Sequence, residues 1–229
     1  MYKLLTVNGN TKIEKGNNLS DKFWSCIMHL RPINTKICPF QNIAKCKAVC
    51  LDNSGRARVF PTIHKARNRK TRLFLDDRET FMQQLYSDIE KFIRACDRKG
   101  KKPAIRLNGT SDIQWETIKV DGSHVFDEFP EVQFYDYTKI PNRKVEGISN
   151  YHLTWSYSEA NEKYAKYFDS IPYNTAVVFR KDLPKTFKGV KVIDGDESDM
   201  RFLDKSNSIV GLIAKAEAKT DESGFVIDN

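Results

Sequence analysis

From Pro103 onward the chain breaks into a succession of short apolar runs that each end in small or polar residues. They are PAIRLNGTSD (103–112), EVQFYDYTK (131–139), NYHLTWSYSE (150–159), NTAVVFRKD (174–182), VKVIDGDESD (190–199) and SIVGLIAK (208–215). Runs of this length, rich in β-branched and aromatic residues, predict strands. FWSCIMHL (23–30) predicts one more upstream. Between some of them lie helical stretches, such as SEANEKYAKYFDSI (158–171), where Tyr164, Tyr167 and Phe168 can share an apolar face. The clearest helix falls within 75–102: Phe81, Leu85, Ile89, Phe92 and Ile93 recur at helical spacing, Asp76 or Asp77 can cap it, and Gly100 can stop it. Strands alternating with helices predict a parallel α/β sheet. Six or seven strands suffice for an open or partial barrel and are too few for an eightfold closure.

A chain of 229 residues can bury one substantial core, so a single domain is expected. Within it, residues 1–75 read as irregular, 76–215 as the sheet-bearing region and 216–229 as a loosely ordered polar tail. The net charge of +8 favours polyanionic partners without naming one. MYKLLTVNGNTK lacks the apolar stretch of a secretory signal, and SIVGLIAKA is too short to span a bilayer. The expectation is a cytoplasmic protein with no membrane partner.

KICPFQNIAKCKAVC (36–50) holds three of the five cysteines, spaced C-x7-C-x3-C through Cys38, Cys46 and Cys50. In a reducing compartment such clusters hold metal or do redox work more often than they form disulfides, and an odd total suits a disulfide framework poorly. Structural zinc asks for four protein ligands, commonly as two tight pairs, and only one such pair exists here, with Cys26 or His64 as distant fourth candidates. Three thiolates from one loop instead suit an iron–sulfur cluster, 4Fe-4S above all, with one iron left open. Pro39 and the small Ala44 and Ala48 let the loop wrap closely. Cys96 reads as a core residue of the long helix.

In parallel α/β folds reactive groups gather at the carboxyl ends of strands. Those ends carry Asn108, Thr110, Ser111, Asp112, Tyr135, Asp136, Tyr137, Thr138, Lys139, Ser156, Ser158, Glu159, Arg180, Asp194 and Asp196. Strand ends meet solvent in any case, but the repetition over five strands marks a polar, ionisable rim. SGRARVFPTIHKARNRKTRLF (54–74) brings Arg56, Arg58, Lys65, Arg67, Arg69, Lys70 and Arg72 together with no acid among them. It can grip phosphate, with Phe60 or His64 to stack on a base, or be a solvated helix face or loop. DGDESD (194–199) has Asp199 where a calcium loop needs its Gly and Lys205 where it needs Glu, so an acidic strand-end turn facing the arginines is expected. No glycine-rich phosphate loop, G-x-S-x-G elbow or H-E-x-x-H helix is present.

Taken together, CPFQNIAKCKAVCL, GRARVF, ARNRKTRLF, IRLNGTSDI, FYDYTK, YHLTWSYSE, AVVFR, VIDGDESDMRFLD and IVGLIAK resemble the gene product eighty-eight family of uncharacterised bacteriophage proteins, over roughly residues 20–225. That resemblance implies a protein acting in the infected host cell and supplies no activity. More distantly, the chain is similar to radical S-adenosylmethionine enzymes, which carry a three-cysteine loop after the first strand of a partial (βα)6 barrel. This second likeness implies Cys38, Cys46 and Cys50 as cluster ligands. It implies a cofactor site at Asn108, Gly109, Thr110, Ser111 and Asp112 and at Ser156, Ser158 and Glu159. The usual spacing there is C-x3-C-x2-C, from which this chain departs.

Two functions follow as expectations. One is an iron–sulfur enzyme, binding S-adenosylmethionine and acting on a nucleotide or nucleic acid. The other is a non-enzymatic protein, stabilised by a cluster or by zinc, that binds nucleic acid or a host factor.

Overall fold

In the computed structural model, which describes residues 3–8 and 10–228, the apolar runs become strands. They are β1 (Leu5–Thr6), β2 (Phe23–Met28), β3 (Lys102–Arg106), β4 (Lys119–Val120), β5 (Ser123–His124), β6 (Gln133–Thr138), β7 (Tyr151–Ser156), β8 (Thr175–Phe179), β9 (Thr186–Phe187), β10 (Val190–Asp194), β11 (Ile209–Ile213) and β12 (Val226–Ile227). The helices are α1 (Thr11–Leu19), α2 (Arg56–Val59), α3 (Pro61–Asp76), α4 (Arg78–Asp97), α5 (Val125–Glu128) and α6 (Glu162–Ala165).

One sheet of ten strands organises the chain. Its centre, β2-β3-β6-β7-β8-β11, is parallel throughout and follows chain order. β10 lies parallel beyond β11, while β1 and β9 close the two edges antiparallel. From β2 to β8 each new parallel strand is added beside the previous one, as in a barrel; β10 then lies one place further out and β11 returns to the gap between it and β8. The sheet nonetheless stays open at β1 and β9, so the barrel expectation reduces to a mixed α/β fold with a large, mostly parallel sheet.

A local splay interrupts the regular order. β7 pairs only with the start of β8, through Trp155 with Thr175 and Ser156 with Ala176. β12 takes over its far end, through Val226 with Val178 and Ile227 with Phe179. The tail expected to be loose is therefore a sheet strand with buried Val226 and Ile227. Burial of these two apolar side chains outweighs the polar stretch before them.

The long helix forms as its spacing predicts, with Phe81, Leu85, Ile89 and Phe92 buried and Ile93 half-buried against the same core. Asp77 is its cap, accepting from the Thr80 N–H at 3.0 Å, and Gly100 ends it with φ 64°. This face packs on Cys26, Met28, Ile105, Phe134 and Leu153, on one side of the sheet. On the opposite side Ile13 from α1 meets Ile27, Ala104 and Tyr135, with Phe23 and Phe202 at the margin. Residues 1–75 are thus irregular only in part, over the turns between β2 and Leu51. Asn10 caps α1 by accepting from Lys12 and Ile13, and the basic segment continues from α2 into the sixteen-residue helix α3.

Candidate functional site

The cysteine segment leaves β2 and crosses the carboxyl ends of the central strands as a series of turns. Three hydrogen bonds fix it there. The Thr110 hydroxyl donates to the Leu30 carbonyl at 2.6 Å, and the Asp112 N–H to the Ile37 carbonyl at 2.9 Å. The Ser158 hydroxyl donates to the Ala44 carbonyl at 2.9 Å. The side chains of Ile37 and Ala44 are fully buried, which holds the backbone on either side of Cys38 and just before Cys46 against the sheet.

Cys38, Cys46 and Cys50 are free and half-buried. Burial pushes the Cys38 thiol up; Asp112, Cys46 and Cys50 push the same way, and Lys139 opposes them. Burial likewise raises Cys50, with Cys46 and Asp52 adding to it, while the Asp52 N–H at 3.5 Å from its sulfur and Lys139 act against it. Cys38 and Cys50 thus each feel both the Cys46 thiol and one lysine. That lysine is fixed from both sides: its N–H donates to the Asp112 carboxylate at 2.7 Å and its ammonium to the Ser156 hydroxyl at 2.8 Å. Tyr164 closes the rim, donating to the Ser156 carbonyl at 2.7 Å with its ring 6.0 Å from that of Phe40.

Among the described residues, no three His, Cys, Asp or Glu side chains are arranged so that they could hold a metal ion. Neither distant fourth candidate joins the trio. Cys26 is buried behind the sheet next to Cys96, and His64 faces Asp52 at 3.6 Å.

The residues that the second likeness marks as a cofactor site divide by their partners. Asn108 is buried: its side-chain carbonyl accepts from Ser111, the Ile113 N–H and Trp115, and its amide donates to Ile113 and Asp136. Asp112 accepts from the Thr138 hydroxyl at 2.8 Å and from the Lys139 N–H. Gly109 sits where a Cβ would lie 2.5 Å from the Met28 carbonyl oxygen. Asn108, Gly109, Thr110, Ser111, Asp112 and Ser158 therefore build the floor and the hinge points of the cysteine segment. Ser156 faces Lys139. Glu159 accepts from the Tyr157 hydroxyl and lines a separate cavity of about 240 Å³ with Arg180, Asp221 and Asp228.

Beneath this floor runs a buried ionic network that joins the strand-end residues Asp136 and Thr138 to Arg143, Glu116 and Tyr151, which the sequence did not mark. Arg143 makes a forked contact with Glu116, both distances 2.6 Å, and also donates to Thr138 and Tyr151. Tyr151 donates to Asp136, which accepts as well from the Asn108 N–H at 2.6 Å. Burial, opposed by these hydrogen bonds and by Arg106 and Arg143, brings the Asp136 carboxyl up to about 7. Arg143 lies in a loop and Glu116 in the single 3-10 turn Trp115–Thr117, neither of which shows periodicity, so only their meeting in space reveals them.

The seven basic residues of 54–74 do not form one surface. Arg67 pairs with buried Asp52 at 2.7 Å, and Lys70 donates to the Leu4 carbonyl at 2.7 Å from inside the core. Arg58 pairs with Glu217. Arg56, Lys65, Arg69 and Arg72 are exposed. The acidic turn meets cations elsewhere: Asp199 pairs with buried Arg106 at 2.7 Å, and Asp196 with Lys12 and Lys215. Its expected contact with the basic segment is absent among the described residues.

The pattern of the Gene product 88 family matches residues 3–229, which is nearly the whole chain. The chain belongs to that family. The resemblance to a phage gene-product family is borne out over a wider span than the quoted blocks. No curated protein and no solved structure matches it, and the likeness to radical S-adenosylmethionine enzymes gains no support from these comparisons. Among the described residues of this family member, no helix is long and apolar enough to cross a membrane.

Proposed function

We propose that the protein is an iron–sulfur phage protein in which Cys38, Cys46 and Cys50 hold the cluster at the carboxyl ends of the parallel strands. The observation that carries this reading is that Cys46 and Lys139 both act electrostatically on Cys38 and on Cys50. In kind the donors fit, since thiolates are the ligands of iron–sulfur clusters and three of them leave an iron open. In spacing they do not yet fit, so loading requires residues 38–50 to draw inward. The segment is held at Ile37, at Ala44 and at Asp52, which Arg67 grips at 2.7 Å, so Cys46 and Cys50 lie between the last two of these points. Buried thiols with raised pKa release protons on loading, which makes uptake easier at higher pH.

A bound cluster would supply electron transfer and an open coordination position. The chain's own contribution is a cation beside it, Lys139, and a rigid polar floor from Asp112 and Ser156. Substrate chemistry at the open position, including binding of S-adenosylmethionine, belongs to the same proposal. Equilibrium dialysis of the loaded protein with that compound tests it.

Anaerobic purification with iron, sulfide and zinc quantified, together with visible absorption, decides the main point. Iron and sulfide in comparable amounts with a broad visible band support the cluster. Zinc alone, or no metal after reconstitution with iron and sulfide, overturns it.

A further inference from the structure

We infer that the outer face of α3 and the turn before it form a docking face for single-stranded nucleic acid. This goes beyond the thiol site and stands independently of it. The fold divides the cations of 54–74 by helix face. Arg67, Lys70, Thr71 and Phe74 point inward, where Arg67 is tied to Asp52 and Lys70 to the Leu4 carbonyl. Lys65, Arg69 and Arg72, spaced i, i+4 and i+7, share the opposite, exposed face. At 1.5 Å per residue they form a positive ridge about 10 Å long. The stretch 54–74 holds no acid, and among the described residues Arg56, Lys65 and Arg72 make no ion pair.

Exposed apolar residues in the chain leading into α3 select the form of the polyanion. Phe60 at the start of α3 is 49% exposed, Val59 67% and Leu51 61%. An exposed ring two positions after Arg58 in the chain offers a stacking surface for an unpaired base, which a duplex keeps covered by its neighbours. Phosphates along the ridge with a base on Phe60 therefore fit a single strand.

The test is fluorescence anisotropy of the full chain with a labelled oligothymidylate, and with a duplex of equal length, at low and moderate salt. The single strand should bind more tightly than the duplex, and its affinity should fall steeply with salt. Replacing both Lys65 and Arg72 by Glu should weaken binding at least about tenfold and flatten the salt slope, because two phosphate contacts are lost. Lys65→Gln with Arg72→Gln should do the same in milder form, which guards against a folding defect in the first variant. Phe60→Ala should weaken binding several-fold or more without changing the slope. Absent binding at low salt, equal binding of the duplex, or a Gln double variant that binds like the parent overturns the inference. Iron content is read separately, so failure of the cluster proposal leaves these outcomes distinct.

Discussion

The Ser158 hydroxyl and the Ala44 carbonyl meet at 2.9 Å, joining the end of β7 to the middle of the cysteine segment across 114 positions of sequence. The same hydroxyl accepts from the Ala160 N–H, so its orientation is set from two sides. This bond, with those at Leu30 and Ile37, places a run of turns over strand ends that carry Lys139, Asp112 and Ser156.

Ser158→Ala should free the segment between Ile37 and Cys50. A buried carbonyl loses its donor, so stability should fall by about 1–3 kcal/mol. The more diagnostic effect is on the thiols: Cys38 and Cys46 should react faster with an alkylating agent in the variant, measured by mass spectrometry over time. Unchanged labelling rates would show that the bond does not hold the segment down.

Cys38, Cys46 and Cys50 replaced singly by Ser should each abolish iron retention after reconstitution. Cys26→Ala should retain it, because Cys26 lies buried beside Cys96 on the side of the sheet that packs on α4. Iron and sulfide assays on the four variants check this. Retention in any of the first three would remove that residue from the ligand set.

Gly109→Ala should be strongly destabilising although the position is a loop. An added Cβ would stand 2.5 Å from the Met28 carbonyl oxygen and 2.9 Å from a His29 ring carbon, and the first of these is backbone that cannot swing away. Forcing β2 and the 108–112 turn apart should lower the unfolding midpoint by several degrees, read by thermal circular dichroism. A variant as stable as the parent would show that this close approach is not required.

Asp136 makes stability depend on pH in a direction opposite to most carboxylates. Its folded value of about 7 lies above the ordinary 3.8, so the folded state holds a proton that the unfolded chain has already released. Between those values the folded state binds more protons, and stability is lost as pH rises. The contribution is therefore complete below about pH 4 and lost above about pH 7. Asp136→Asn removes the titration, so the fall in urea midpoint from pH 5 to pH 8 should be smaller in the variant. Asp112 and Asp204, also raised by burial, act in the same direction and remain in both proteins, so the difference between the two slopes is the quantity to compare.

The parallel α/β character, the long helix and most of the strands were legible in the amino-acid order. They rest on local spacing, as in Phe81, Leu85, Ile89 and Phe92, and on runs that end in polar residues. Helix α1 was missed because its few apolar residues hide the periodicity, although Asn10 ahead of Thr11–Leu19 is a good cap. The tail was misread because two apolar residues, Val226 and Ile227, gain from burial what their polar neighbours cannot forecast.

The sequence alone determined which residues could bear chemistry: three clustered thiols, a polar residue set at each strand end, and a basic segment with no acid in it. Tertiary structure decided what each is used for. Arg67 and Lys70 belong to the interior while Lys65 and Arg72 face solvent, because a helix on a sheet turns only one side inward. Asn108 and Asp112 support the cysteine segment rather than project into solvent, and Arg143 finds Glu116 across 27 positions. Hydrogen bonds and ion pairs of this kind depend on distances in space, and local spacing along a chain does not encode them.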